Sequence, residues 1–153
     1  VSKDKTLKLS IDTLKNRNIL FPAPKAFAAT MLTKHELNSK FNIDVEKNMN
    51  ILYVNSHDSV YKGIARNIGV IGGGIERTFI NFDKKEGEEI NIIYRTKDYP
   101  SHPFAFHPRV SKDDVKLLKD AFLSMPVELK KILSIKNFIQ TENKEFDSIK
   151  AFK

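Results

Sequence analysis

Two short blocks of this chain carry groups that could hold a small anion. The first is Ser56-His57-Asp58-Ser59-Val60-Tyr61, and the second is Gly72-Gly73-Gly74-Ile75-Glu76-Arg77-Thr78-Phe79. Each reads as the end of a strand turning into the start of a helix. A helix start presents unpaired N–H groups and a partial positive charge, which together attract anions. Two such turns in one domain point to a small anionic or polar ligand.

The individual side chains bound that chemistry. Ser56, His57 and Asp58 spell the letters of a hydrolase triad, but consecutive residues at a helix start splay apart and do not converge. Two readings of the block stay open. Ser56 and His57 donate hydrogen bonds to a ligand at the helix N-terminus, or Ser56 is a simple N-cap beside an exposed histidine. Gly72 to Gly74 likewise form a backbone nest for an anion, or allow close backbone packing. The glycines lack the G-x-G-x-x-G spacing of a dinucleotide site, and no Gly-Lys-Ser/Thr follows to make a P-loop. Arg77 could grip an anion with two hydrogen bonds, or pair with Glu76, Asp58 or a neighbouring lobe. His102 and His107 bracket a predicted strand, and a spacing of five there sends them to opposite faces. A shared metal is not expected.

These groups need strands and helices to place them. Residues 1–18 show a weak helical pattern through Leu7, Leu9, Ile11 and Leu14. Ile19-Leu20-Phe21 reads as a strand stopped by Pro22 and Pro24. Residues 25–38 fit a helix in which His35 is a surface residue, and 42–44 a loop. A strand is expected at 50–54, then a helix capped by Ser56 that runs to about Arg66. A short buried strand at 68–71 and a helix at 75–82 follow. Residues 84–89 read as a solvated turn, and 90–94 and 104–106 as strands. Ser111 caps a clear helix and Pro126 starts another. A short helix around Phe146 and Ile149 ends the chain. Strands alternating with helices predict an α/β domain with a mostly parallel sheet between helical layers. Ligands of such sheets sit beyond the carboxyl ends of the strands, where both blocks fall.

Composition excludes several classes. The chain has 153 residues, no cysteine, and a net charge of +7 from 26 Lys+Arg against 19 Asp+Glu. Disulfides, thiolate metal sites and cysteine catalysis are therefore out. The lysines are scattered, with no basic stripe or nucleic-acid motif, so the charge reads as a solvated surface. No stretch approaches the ~18 apolar residues of a membrane span. No signal-peptide pattern is present. The chain opens as if mid-domain, as expected of a fragment. No activated nucleophile, metal cluster or cofactor motif supports an enzyme.

Taken together the blocks resemble the phosphate/phosphite/phosphonate-type periplasmic solute-binding proteins of ABC transporters, within the type II periplasmic binding fold. The matching segments are Phe21-Pro22-Ala23-Pro24 with Ala26-Phe27-Ala28-Ala29, the Ser56 block and the Gly72 block. Tyr94-Arg95-Thr96, Tyr99, His102-Pro103 and His107-Pro108 fit the return segment. The resemblance implies two α/β lobes joined by a hinge. Residues 15–93 would be the second lobe, and 94–153 a return strand and helices that pack on a first lobe lying outside this chain. In transporter-type relatives a Ser-Thr-Ser-Gly run holds the phosphonate. Ala26, Phe27, Ala28 and Ala29 stand there instead, so only backbone N–H groups remain as donors. His57 matches the family's ligand-contacting histidine.

The resulting expectation is a non-enzymatic solute-binding domain without cofactor or metal. Ala26, Phe27, Ala28, Gly73 and Gly74 would contact ligand through the backbone, and Ser56 and His57 through side chains. Arg77 would be an anion contact or a latch between lobes, with Tyr99 and His102 lining the hinge side. The ligand would be phosphonate- or phosphate-like, or less charged and more apolar. The location would be periplasmic, and the partner an ABC permease. A sensory input domain on a membrane-bound kinase or cyclase is the alternative. A dimer or swapped arrangement is expected to cover apolar helices after Ser111.

Overall fold

The computed structural model of the protein describes residues 1–82, 90–133 and 135–152. The solvated turn expected at 84–89 lies outside the described residues. Two compact units result: Val1–Lys97 with Phe152, and Asp98–Ala151.

The first unit is built on a three-stranded parallel sheet. Its strands are β1 (Asn18–Phe21), β2 (Asn50–Tyr53) and β3 (Ile71–Gly72), in the order β2-β1-β3. Ile19 is in register with Ile51 and Ile71, and Leu20 with Leu52 and Gly72. Side chains of a strand alternate between faces, so β1 feeds two cores. Ile19 and Phe21 join Leu14, Leu37, Ile43 and Val45 in one. Leu20 joins Val60, Tyr61 and Ile64 in the other. Ile19, Leu20 and Phe21 are fully buried. Each contributes about 1.5–3 kcal/mol of apolar transfer free energy, which anchors β1 at the centre.

Helices cover both faces. Residues of α1 (Ile11–Leu14), α2 (Leu32–Phe41) and α3 (Val45–Asn48) supply the first core, and α4 (His57–Ala65) supplies the second. A further helix, α5 (Glu76–Asn81), follows β3. Asparagines end several elements because they tolerate left-handed backbone. Asn16, Asn42, Asn55 and Asn67 have φ of 61, 54, 68 and 59°.

Several expectations need correction. The helix expected over 25–38 begins as a π-helical turn, Phe27–Met31, and then continues as α2 to Phe41. Its cause is the Ala26 carbonyl, which accepts from both Thr30 and Met31. The strand expected at 68–71 shrinks to β3. The strand expected at 90–94 does not form; Asn91 makes a single antiparallel bridge to Ser2. A local apolar pattern makes a strand only where a sheet edge accepts it. The short helix α3 had no expectation. It is capped by Asp44, whose side chain accepts from the Lys47 N–H.

The second unit holds α6 (Lys112–Leu123), α7 (Val127–Ile132) and a 3-10 helix, Asn143–Phe152, whose last residue groups with the first unit. Ser111 caps α6 by accepting from the Asp114 N–H at 3.1 Å, as its Ser-x-x-Asp spacing predicts. Residues 104–106 are not a strand. Phe104 instead packs with Phe122 and Phe138, with ring centroids 5.1 and 5.8 Å away.

Candidate functional site

All three parallel strands of the first unit point their carboxyl ends the same way, and each is followed by a helix start. Phe21 leads to the π-turn, Tyr53 to α4, and Gly72 to α5. The edges of β1 and β2 are joined beyond the strands by the Val54 N–H, which donates to the Phe21 carbonyl at 2.9 Å. The π-turn and the start of α4 therefore flank the ends of neighbouring strands. In open α/β sheets this edge is where ligands bind.

Backbone donors are available there. The N–H groups of Ala28 and Ala29 in the π-turn, and of His57 and Asp58 in α4, find no acceptor among the described residues. The first N–H groups of any helix lack intrahelical partners, so those of Ala28, His57 and Asp58 are open to a ligand oxygen or water. Ala29 is fully buried, whereas Ala28 is exposed, and Ala26 and Phe27 are half-buried.

His57 opens α4 and is half-buried, yet its Nδ1 atom is fully buried and has no hydrogen-bond partner. A buried polar atom left unpaired costs about 1–3 kcal/mol. Such an atom beside free helix N–H groups fits a ligand contact.

Ser56 behaves differently from expectation. Its hydroxyl donates to Ser59 Oγ at 2.8 Å and accepts the Ser59 N–H at 3.0 Å. It is an N-cap turned toward its own helix. Thr30, next to the π-turn alanines, is likewise committed, donating to the Ala23 carbonyl at 2.7 Å.

The glycines are packing devices first. Gly73 donates its N–H to the Leu20 carbonyl at 3.0 Å, so that group belongs to the sheet. A Cβ on Gly73 would overlap the Ala29 carbonyl oxygen and lie 2.7 Å from the Phe21 ring. The missing side chain lets β3 lie directly against the π-turn. No glycine among the described residues has positive φ, so left-handed nest geometry is absent there. The Gly74 N–H has no acceptor among the described residues.

Charged groups frame this edge. Arg77 is exposed and makes no ion pair among the described residues. Glu76 pairs instead with Arg95, whose Nε and Nη2 donate to its Oε1 at 3.0 and 2.9 Å. Lys34 lies over the rings of Phe21 and Tyr53, 5.5 and 5.6 Å from their centroids. Its ammonium is neutralised by Glu46 at 2.6 Å. Sequence reasoning missed Lys34 as part of this edge, and named Tyr61 only within the Ser56 block, without a role. The signal for Tyr61 was its position four residues after His57, one helical turn on.

Tyr99 and His102 belong to the second unit, where His102 is exposed and Tyr99 half-buried. His107 Nδ1 accepts the Arg109 N–H at 3.2 Å, which makes it a local turn residue. No group of three or more metal-ligating side chains occurs among the described residues. A cleft of about 370 Å³ opens at the opposite, amino edge of the sheet, beside Asn16, Arg17, Asn18 and Asn67. It contains none of the residues singled out from sequence. The carboxyl edge carries the orphaned donors and is the better candidate.

A family model described as "ABC transporter, phosphonate, periplasmic substrate-binding protein" matches residues 1–146, and the chain belongs to that family. No curated protein matches the chain.

Proposed function

We propose that the carboxyl edge of the three-stranded sheet binds a small oxyanion of the phosphonate class for delivery to an ABC permease. The observation that carries this reading is His57 Nδ1, buried and unpartnered at the start of α4. The free N–H groups of Ala28, His57 and Asp58 support it, since helix starts stabilise anions. Gly74 adds a further N–H. Arg77, exposed on α5, supplies a cation on the helix that follows β3.

The role is binding rather than turnover, as the family's description as a substrate-binding protein supports. Residues 15–93 act as one lobe of a binding cleft, and 94–153 as the return segment and its helices. The family's description supports an extracytoplasmic location. No helix of the described residues is long and apolar enough to cross a membrane.

Calorimetric titration with methylphosphonate, aminoethylphosphonate, phosphite and phosphate tests the reading. Saturable binding that is lost in His57→Ala supports it. No binding of any of these anions by the folded chain rejects it.

A further inference from the structure

We propose that the cleft at the amino edge of the sheet is a second binding site, for a small zwitterion that carries a carboxylate and an ammonium group. It lies at the opposite edge from the oxyanion site proposed above and does not depend on it.

Two turns shape this cleft. Asn16 precedes β1 and Asn67 precedes β3, and these strands are neighbours in the sheet. Both asparagines hold left-handed backbone, with φ of 61 and 59°. The turns are tied together where the Val70 N–H donates to the Asn18 carbonyl and Asn18 Nδ2 to the Ile68 carbonyl, each at 2.9 Å. Both asparagines line the cleft, whose volume of about 370 Å³ suits a small ligand.

Several polar groups of the lining have nothing to bind. The backbones of Asn16 and Asn67 are committed, since their N–H groups donate to the Asn48 and Ile64 carbonyls at 2.7 and 3.1 Å. Their side-chain amides make no hydrogen bond among the described residues. Gly69 is buried at the cleft, and its N–H has no acceptor among the described residues. Buried N–H groups are rarely left unpaired. Arg17 makes one long hydrogen bond, from Nη1 to the Thr13 carbonyl at 3.4 Å. Asp4 accepts the Thr6 N–H and hydroxyl on Oδ1, at 2.8 and 2.7 Å, which leaves Oδ2 open.

Charge sets the ligand class. Thr6 first, and Arg17 more weakly, hold the Asp4 carboxyl below its ordinary range. The guanidinium and the carboxylate therefore sense one another, yet they form no ion pair among the described residues. A zwitterion joins them. Its carboxylate takes the fork of Arg17, and its ammonium takes Asp4 Oδ2. The asparagine amides and the Gly69 N–H serve the remaining oxygen lone pairs. Lys3 also lines the cleft and has a partner of its own. Asp4 and Arg17 are both exposed, where one ion pair alone holds little. A ligand with a single charge is therefore held poorly, and the two contacts act together. No aromatic side chain among the described residues lines the cleft, so it offers no stacking face to a sugar or base ring.

Calorimetry on the full chain tests this with glycine, β-alanine and γ-aminobutyrate, against acetate, ethylammonium and glycerol. One of the zwitterions is expected to bind saturably, at least tenfold more tightly than any of the counterparts. Saturating methylphosphonate should leave that affinity unchanged. Asn67→Gly deletes the amide and keeps a residue at home in left-handed backbone, while Arg17→Gln deletes the cation. Each should stay folded and weaken the zwitterion several-fold. Acetate, ethylammonium or glycerol binding as tightly as the zwitterions overturns the proposal, and glycerol would make the cleft a polyol site instead. Displacement by methylphosphonate, unchanged affinity in either folded variant, or no saturable binding of any zwitterion overturns it as well.

Discussion

The hydroxyl of Tyr61 donates to the Ile75 carbonyl at 2.8 Å and accepts the Ile75 N–H at 3.1 Å. One fully buried side chain on α4 thus satisfies both backbone groups of the residue that caps α5. Its ring also meets Phe79 and Phe82 edge-on, each with centroids 5.4 Å away. Tyr61 fixes the turn that follows the glycines.

Tyr61→Phe keeps the ring and strips Ile75 of both partners. We expect a loss of about 1–3 kcal/mol, read from the denaturant midpoint. Burial, with a smaller push from Asp58, raises the phenol from 10.0 to about 12 despite the Ile75 N–H. The unfolded chain therefore ionises first as pH rises. Wild type should lose stability between pH 10 and 12, and Tyr61→Phe should lack that part of the slope. Equal slopes in both proteins would contradict this.

Gly73→Ala tests the contact between β3 and the π-turn. The new Cβ would meet the Ala29 carbonyl oxygen, which is backbone and cannot rotate away. Overpacking of this kind costs about 3 kcal/mol or more at its upper range. Gly69→Ala is the comparison, because its Cβ would meet a side chain, Leu20 Cγ at 2.6 Å, rather than backbone. Comparable unfolding midpoints for the two variants would show that the π-turn yields to β3.

Much of this arrangement was legible in the sequence, for identifiable reasons. The runs at Ile19 and Ile51 are apolar on both faces and bounded by turn residues, so β1 and β2 stood out. The Ser56 block announced a strand, a cap and a helix start in order. The inward turn of the Ser56 hydroxyl was not legible, because Ser-x-x-Ser spacing permits a ligand donor or a cap. The π-turn was not legible either. It packs against Gly73, 44 residues away in the chain, and no local spacing signals that contact. Residues 90–94 carried a strand pattern but found only Ser2 to pair with. Residues 104–106 join no ladder; Phe104, still largely exposed, stacks with Phe122 and Phe138 instead.

Glu36, Lys40 and Tyr94 give a prediction at acid pH. Glu36 is buried on α2, and Lys40 Nζ lies 2.7 Å from its Oε2, which also accepts from the Tyr94 hydroxyl. Burial alone would push this carboxyl up. The hydrogen bonds from Lys40 and Tyr94 outweigh it and hold the carboxyl below its ordinary value. A depressed carboxyl stabilises the fold above the unfolded-state pKa and stops doing so as pH falls through the folded one. Tyr94→Phe removes one donor, so the acid unfolding transition should move to higher pH. At neutral pH the variant should lose about 1–3 kcal/mol. An acid transition identical to wild type would show that Lys40 alone sets the carboxyl.

His57→Ala separates a binding residue from a structural one. In the free protein the imidazole Nδ1 makes no hydrogen bond, so its removal breaks none there. The lost packing is offset by relief of an unpaired buried atom, worth about 1–3 kcal/mol. The unfolding midpoint should therefore stay close to wild type, within about 1 kcal/mol. Affinity for the best-bound oxyanion should fall at least tenfold, which corresponds to about 1.4 kcal/mol. Paired denaturation and calorimetry on the same preparation read both quantities. A large loss of stability with unchanged affinity would make His57 a packing residue, and the anion would then have to be held by the helix-start N–H groups without it.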